Sequence, residues 1–316
     1  MAQRMLVNDA GRKGNYLTRL WADLKRNKLV YLMWLPVLIY YLVFHYAPMF
    51  GVVIAFENYK PFKGILGSNF VGLQWFRDFL SGPFAWRTIS NTLILSFYQI
   101  LFGFPMPILL ALLINELKGK RFKKTVQTVS YMPHFISLIV ICGLLTDFAA
   151  STGLFNAITR LFGIPKANYL VLPSAYRSIY VGSGIWKQMG WGSIIYLATL
   201  SGIDPNLYEA AAIDGANRFK RMLHVTLPAL VPIIVMQLIM RMGHVMSEGS
   251  EKTILLYNES TYSVSDIVSS FVYRRGLLSN DYSYGAAVGL FNSLVNIVLL
   301  TTANTLSRRM TNESLW

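Results

Sequence analysis

A short polar loop between two long apolar runs carries the residues whose types and spacing are most informative. Residues 209–215 read Glu-Ala-Ala-Ala-Ile-Asp-Gly, and Val225 and Leu227-Pro228 follow at the end of the loop. Asp204 stands before Pro205, and Asp is a favoured N-cap while Pro is favoured at the first helical position. The sequence therefore predicts a helix that begins in this loop.

We expect this helix over residues 205–213, ended by the turn dipeptide Asp214-Gly215, because glycine accepts backbone angles that other residues resist. A second helix is expected from Ala216. The first helix is expected to lie across the membrane surface, where small alanine side chains let it sit deep in the groove of a partner. Glu209 can pair with a basic group there. The chemistry offered is protein recognition rather than catalysis.

No group of residues has the spacing of an enzyme active site. The pattern G-x-x-x-x-G-K-[ST] of a phosphate loop is missing, because Gly119-Lys120 is followed by Arg121 and lacks the preceding glycine. The four histidines show neither i,i+4 pairing nor H-E-x-x-H. A G-x-S-x-G nucleophile elbow is missing as well. We predict neither enzymatic activity nor a metal or cofactor bound by this chain.

A second set of polar side chains lies inside the apolar runs. Gln237 and Arg241 share one helix face, as do Lys187 and Trp191, because residues four apart are neighbours on a helix. Asn292 lies in the last run. A central Arg or Lys costs about 2.5–3.5 kcal/mol on insertion scales, so it normally faces a wet interior or a partner.

Two interpretations of these polar side chains stay open. They form hydrogen bonds between helices or snorkel, or they line a pathway for a hydroxyl-rich solute. In the second interpretation Trp rings stack on sugar faces, and Arg241 and Lys187 additionally favour a solute that bears carboxylates. The residues expected along the pathway are Lys187, Trp191, Gln237, Arg241 and Asn292.

Composition indicates an integral membrane protein. The chain has 316 residues, of which 54% are hydrophobic and 14% charged, whereas soluble domains carry roughly 25% charged residues. The apolar runs are about twenty residues long, the length that a spanning helix needs. A barrel would show alternating segments of about ten residues instead. The predicted fold class is all-α, a polytopic membrane protein with about six transmembrane helices.

The placement of charge predicts topology. The net charge is +14, and basic residues crowd the segment before the first run and the short loop at 118–124. Lys and Arg remain on the cytoplasmic side, near anionic lipid. This distribution argues against nucleic acid as a partner and predicts a multi-pass membrane protein with both termini in the cytoplasm.

One membrane domain is predicted, flanked by cytoplasmic segments. Residues 1–28 form an N-terminal segment with an interfacial amphipathic helix over 15–28. The membrane domain covers 29–306 and includes the loop 204–224, and 307–316 form a tail. The expected spans are about 29–55, 89–115, 124–148, 178–201, 225–246 and 284–306.

The loop resembles a known family signature. Glu-Ala-Ala, three residues, Gly, nine residues, an aliphatic residue, one residue and Leu-Pro form the EAA motif of bacterial ABC-importer permeases. Residues 121–137, 255–258 and 272–277 are similar to the carbohydrate-uptake class, in the branch that imports oligosaccharides released from polysaccharides. The resemblance covers roughly residues 30–306. It extends to permeases for acidic, alginate-like oligosaccharides.

This resemblance implies a type I ABC importer fold and a set of partners. The permease forms a heterodimer with a second permease subunit, beside two ATP-binding subunits that hold ATP and Mg. An extracytoplasmic solute-binding protein delivers the oligosaccharide to the outside loops. The loop helix becomes the coupling helix that docks on an ATP-binding subunit and drives alternating access. The residues implied in that coupling are Glu209, Ala210, Ala211, Asp214 and Gly215.

Two other functions are alternatives to import by an ABC transporter. An ion-coupled secondary transporter needs intramembrane carboxylates or an inverted repeat. Asp147 alone lies near the end of a span, and no repeat is visible. A membrane scaffold without transport is the other alternative, and co-purifying ATPase subunits would argue against it.

Overall fold

The computed structural model describes residues 16–247, 249–311 and 314–315. The chain divides into two compact units, residues 1–53 and 54–316. The described part of the first unit is helical throughout. Its elements are α1 (Tyr16–Arg26), α2 (Lys28–Tyr41), a π-helical turn (Leu42–Tyr46), α3 (Ala47–Met49) and the start of a 3₁₀ helix (Phe50–Phe56).

The Asp23 carboxylate joins the first two helices. It accepts hydrogen bonds from Asn27 Nδ2 at 2.7 Å and from the Tyr31 hydroxyl at 2.6 Å. The helix expected over 15–28 is therefore present as Tyr16–Arg26 within the described residues. Trp21 is exposed on it, as an interfacial helix requires.

The second unit begins with a small antiparallel hairpin and continues as helices. The elements of its first half are β1 (Glu57–Asn58), β2 (Asn69–Phe70), α4 (Gln74–Leu80), α5 (Ala85–Tyr98), a π-helical turn (Gln99–Gly103), α6 (Pro105–Glu116), α7 (Lys120–Tyr131), a 3₁₀ turn (Met132–Phe135), α8 (Leu138–Ala149) and α9 (Leu154–Arg160). Those of its second half are a 3₁₀ turn (Tyr169–Val171), α10 (Pro173–Ser201), α11 (Pro205–Ile213), α12 (Arg218–Arg221), a π-helical turn (Met222–Thr226), α13 (Leu227–Met242), α14 (Ser250–Leu256), a 3₁₀ turn (Glu259–Thr261), α15 (Tyr262–Ser265), α16 (Val268–Val272), a π-helical turn (Tyr273–Leu278) and α17 (Tyr282–Thr311).

Five helices in the described part are long and apolar enough to cross a membrane. They are Lys28–Phe56, Ala85–Glu116, Leu138–Arg160, Arg218–Met242 and Tyr282–Met310. The further span expected over 178–201 lies within α10, a continuous helix of 29 residues. At about 1.5 Å per residue α10 is long enough to span. Its polar residues and glycines make it less apolar than the other five.

The continuous span expected over 124–148 is wrong. The helix ends at Phe135, and Ile136 and Ser137 have extended backbone before α8 begins at Leu138. Pro133 lies at the start of the 3₁₀ turn, where its missing N–H and fixed φ tighten the chain. The apolar crossing starts after this break and runs over Leu138–Arg160.

Helix α10 forms the centre of the packing in the second unit. Tyr176 and Tyr180 at its first half pack in one buried cluster with Cys142 and Leu256. At the opposite end, Tyr196 and Leu200 contribute to another cluster. Its middle lies so close to the end of α7 that a Cβ added at Gly190 would overlap with the Ser130 carbonyl oxygen.

An ion-pair cluster holds the segments that follow α14. The Asp266 carboxylate is fully buried and lies 3.1 Å from Arg87 and 2.8 Å from Arg274, and it also accepts a hydrogen bond from Ser270. Burial lowers the pKa of Arg274, but the Asp266 hydrogen bond and charge outweigh it and raise the pKa overall. The cluster joins α5 to the 266–274 segment.

The Gly190 contact makes a stability prediction. Gly190→Ala should lower the melting temperature of the purified protein, because the Ser130 backbone cannot give way, and overpacking costs about 1–3 kcal/mol. Gly182→Ala is the matched control on the same helix, since nothing lies within 4 Å of an added Cβ there. Thermal unfolding in detergent measures both. Equal melting temperatures for the two variants would contradict the close approach of α10 and α7.

Candidate functional site

The loop 204–224 folds as the sequence predicts at its first helix. Asp204 Oδ1 accepts a hydrogen bond from the Asn206 N–H at 2.9 Å, so the side chain caps α11 as expected. At the other end the Ala216 N–H reaches the Ala211 carbonyl at 2.9 Å and the Gly215 N–H reaches Ala212 at 3.1 Å. This pair of bonds is a Schellman motif. Gly215 has φ +78°, a left-handed conformation that disfavours other residues.

The second helix of the loop starts later than predicted. It begins at Arg218 rather than Ala216, because Asn217 Oδ1 accepts a hydrogen bond from the Lys220 N–H at 2.9 Å and caps it. The sequence contained this signal, since Asn is a favoured N-cap.

The loop presents an exposed and partly apolar surface. Glu209, Ala210, Asp214 and Gly215 are exposed and Ala211 is half-buried. Ile213, which we did not single out in the sequence, is 88% exposed, and Leu207 and Phe219 are exposed beside it. Large apolar side chains that are exposed on a rigid element are typical of protein interaction sites. Their position within an otherwise polar loop was the signal that could have identified them.

Two contacts tie this surface to the helices behind it. The Tyr208 hydroxyl lies 3.1 Å from Thr226 Oγ1, and Thr226 is buried at the start of α13. Ile203 and Met222 pack against the cluster that contains Tyr196 and Leu230. Helix α11 is therefore joined to the start of α13 by a side-chain contact, and the residues that flank it pack against α10.

A cavity of about 1030 Å³ lies between α6, α8, α10 and α13. Four of the five residues that we expected along a polar pathway line it together: Lys187, Trp191, Gln237 and Arg241. Within residues 16–247 and 249–311 there is no group of three metal-ligating side chains in this cavity or elsewhere.

Asn292 does not line this cavity. Its Nδ2 donates hydrogen bonds to the Met246 carbonyl at 3.0 Å and to Ser247 Oγ at 3.3 Å. Asn296 bonds the same two residues. The pair therefore fixes the chain that leaves α13, and Ser247 in turn lines the cavity.

Two cavity residues were missed in the sequence. Gln99 comes from the π-helical turn, and Lys252 comes from α14. Lys252 is 8% exposed, donates a hydrogen bond to the Tyr180 carbonyl and lies over the Tyr180 ring. Gln99 lies in the expected span 89–115 but has no polar neighbour four residues away, and Lys252 lies outside the expected spans. Helical periodicity therefore gave no signal for either residue.

Comparison with known proteins identifies the family. Residues 79–312 match the family described as binding-protein-dependent transport system inner membrane component. The chain belongs to this family. It is a transport permease of the ABC importer class, which the EAA motif predicted, and this confirms the predicted helical membrane fold.

Relatives of this permease match along nearly its whole length. It is 42% identical over 301 residues to the polygalacturonan/rhamnogalacturonan transport system permease protein YteP of Bacillus subtilis, covering 94% of this chain and 93% of that protein. It is 40% identical over 296 residues to protein LplB of the same organism, covering 93% of each.

A solved structure also matches this permease. A chain from a bacterial ABC transporter involved in the import of the acidic polysaccharide alginate has a TM-score of 0.86 and 43% identity. The match covers 93% of this permease and 99% of that chain. The similarity to alginate-importer permeases that the sequence predicted is confirmed.

The Schellman turn generates a prediction. Gly215→Ala should reduce ATP-driven uptake by the assembled importer by up to about tenfold, because left-handed backbone costs an L-residue about 1–2 kcal/mol. Gly215→Asn is the matched control, since Asn tolerates this conformation, and it should retain most of the uptake. An equal loss in both variants would show that the side chain, and not the backbone angle, is the cause.

Proposed function

We propose that this chain is the permease subunit of an ATP-driven importer of acidic oligosaccharides. The observation that carries the proposal is the cavity, in which Lys187, Arg241 and Lys252 lie among aromatic and hydroxyl-bearing side chains. Two of the similar proteins are named for acidic polysaccharides: the alginate importer and the polygalacturonan/rhamnogalacturonan permease. Cationic donors form charge-assisted hydrogen bonds with uronate carboxylates.

The roles of the cavity side chains follow from their chemistry. Trp191 offers an apolar ring face to a sugar. Gln237 and Gln99 supply amide donors and acceptors for hydroxyl groups. Arg241 presents a planar guanidinium that matches a carboxylate in bidentate fashion. Asn292 holds the chain at Met246 and Ser247, and so supports the wall of the pathway.

In the same proposal the loop 204–224 is the coupling segment on the cytoplasmic side. Glu209, Ala210, Ala211, Asp214 and Gly215 form the docking surface for an ATP-binding subunit, together with Ile213. ATP and Mg are held by two such subunits, and hydrolysis takes place there. Closure of those subunits moves α11, and the Tyr208–Thr226 contact passes the motion to α13.

The other partners follow from the same class. A second permease subunit completes the membrane assembly, and an extracytoplasmic binding protein delivers the sugar to the segments 56–88, 149–177 and 247–283. Both termini, including 1–28 and 307–316, lie in the cytoplasm. The membrane domain covers 29–306.

Site-specific crosslinking tests the coupling surface and the topology together. Ile213→Cys should crosslink to an ATP-binding subunit in membranes that contain the whole importer, because residue 213 is 88% exposed. Leu66→Cys is the matched control, since Leu66 is also a fully exposed aliphatic residue but lies in a proposed outside segment. The native Cys142 is buried. Crosslinking from position 66, or none from 213, would contradict the proposal.

Uptake assays test the substrate class. Arg241→Gln should reduce uptake of tri-galacturonate by about tenfold relative to the same trisaccharide with methyl-esterified carboxyls, which corresponds to the loss of one charge-assisted hydrogen bond. Arg241→Lys keeps the charge and should retain part of the preference. Equal loss for the acid and the ester would show that Arg241 does not recognise carboxylates.

A further inference from the structure

The break between α7 and α8 lies next to the cavity. Leu138 and Ile141 at the start of α8 line the cavity together with Lys187 from α10. The break itself is extended backbone at Ile136 and Ser137. Lys187 is therefore a cavity residue that lies within reach of the segment that joins the two helices.

Lys187 forms hydrogen bonds with the main chain at this break. Its Nζ donates hydrogen bonds to the Ile136 carbonyl at 2.5 Å and to the His134 carbonyl at 3.4 Å. These carbonyls stand at the end of a helix, where the last C=O groups lack helical partners. A cation at this position also interacts favourably with the helix dipole. The lysine therefore satisfies main-chain carbonyls that the end of the helix leaves without helical partners.

Two neighbouring residues of α10 contact the side chains just before the break. The Gln188 Oε1 lies 3.1 Å from His134 Nδ1. The Trp191 ring stacks on His134, with centroids 4.4 Å apart and planes 2° apart, and contacts Phe135 edge-on. Gln188 and Trp191 thus contact the side chains before the break, whereas the Lys187 ammonium bonds to the Ile136 carbonyl within it.

The charge of Lys187 has no acidic partner in the part of the chain that the structure describes. Within that part its ammonium bonds to main-chain carbonyls, and the ion pairs there involve other residues. The bonds from Lys187 to these carbonyls are already charge-assisted, and a carboxylate adds the attraction of a full opposite charge that a carbonyl dipole lacks. A carboxylate that enters the cavity therefore competes for this ammonium more strongly than the hydroxyl or ester oxygens of a neutral sugar do.

We propose that Lys187 is a carboxylate-responsive latch: it closes the break at Ile136 in the empty cavity and releases it when a uronate binds. This inference rests on the proposed uptake of acidic oligosaccharides and adds a regulatory role to that site. Because the acidic ligand binds the released state better than the latched state, its binding shifts the population toward the released state. The carboxyl group of the ligand thus changes the conformation of the break between α7 and α8, in addition to strengthening binding.

Hydrogen–deuterium exchange in the assembled importer tests the latch. In nanodiscs with all subunits and the binding protein, tri-galacturonate should accelerate exchange of the peptide covering residues 132–141 by about tenfold, the factor that corresponds to one lost charge-assisted hydrogen bond. The trisaccharide with methyl-esterified carboxyls should leave that exchange unchanged. The ester comparison uses the unaltered protein, so it stands even if a variant assembles poorly.

Two variants complete the test. Lys187→Met should show fast exchange at 132–141 without ligand and no further response to tri-galacturonate. Lys187→Arg keeps the charge and the donors, and should retain the response. If acid and ester accelerate exchange equally, or if Lys187→Met responds like the unaltered protein, the latch is wrong.

Stimulation of ATP hydrolysis, measured in the same samples, separates the two proposals. Stimulation by tri-galacturonate without any change in exchange at 132–141 would overturn the latch alone. No stimulation by either trisaccharide would overturn the proposed substrate class, and the latch with it.

Discussion

Main-chain carbonyls that lose their helical partners must find others wherever water is excluded. This constraint applies at the break, where the helical segment that begins with α7 ends at Phe135 and α8 begins at Leu138. Lys187 supplies the missing donor, and Gly190 lets α10 approach closely enough for the lysine to reach. Because α10 also carries Tyr176 and Tyr180 into one buried cluster and Tyr196 into another, the position of the whole helix depends on this contact with the break.

The cavity and the coupling surface are joined by the same helices. Tyr196 lines the cavity and also packs in the cluster that contacts Ile203, just before the loop 204–224, and Met222 within it. Arg241 lines the cavity from α13, whose first turn is fixed to α11 through Thr226. The cavity and the loop are therefore connected by contiguous packed side chains, and tightly packed interiors transmit strain.

Local interactions could be predicted from the sequence, and contacts between distant segments could not. The helix over 205–213 was predicted in full because Asp204, Pro205 and Gly215 encode its ends within a few residues. Helical periodicity placed Lys187 and Arg241 correctly on polar faces, but Asn292 on such a face meets the backbone of Met246 instead of the cavity. Lys252 reaches the cavity only because α14 folds against Tyr180, 72 residues earlier in the chain. The break at Ile136 escaped prediction because proline is tolerated within membrane helices.

Asp266 carries a consequence of a different kind. Its carboxylate is enclosed between Arg87 and Arg274, and removing one member of a buried charge cluster costs about 3–5 kcal/mol, since the remaining charge stays uncompensated. Loss of the acid would leave two partly exposed guanidinium groups facing each other without a counter-charge. One substitution at Asp266 would therefore loosen a contact between segments that 179 residues separate in the chain.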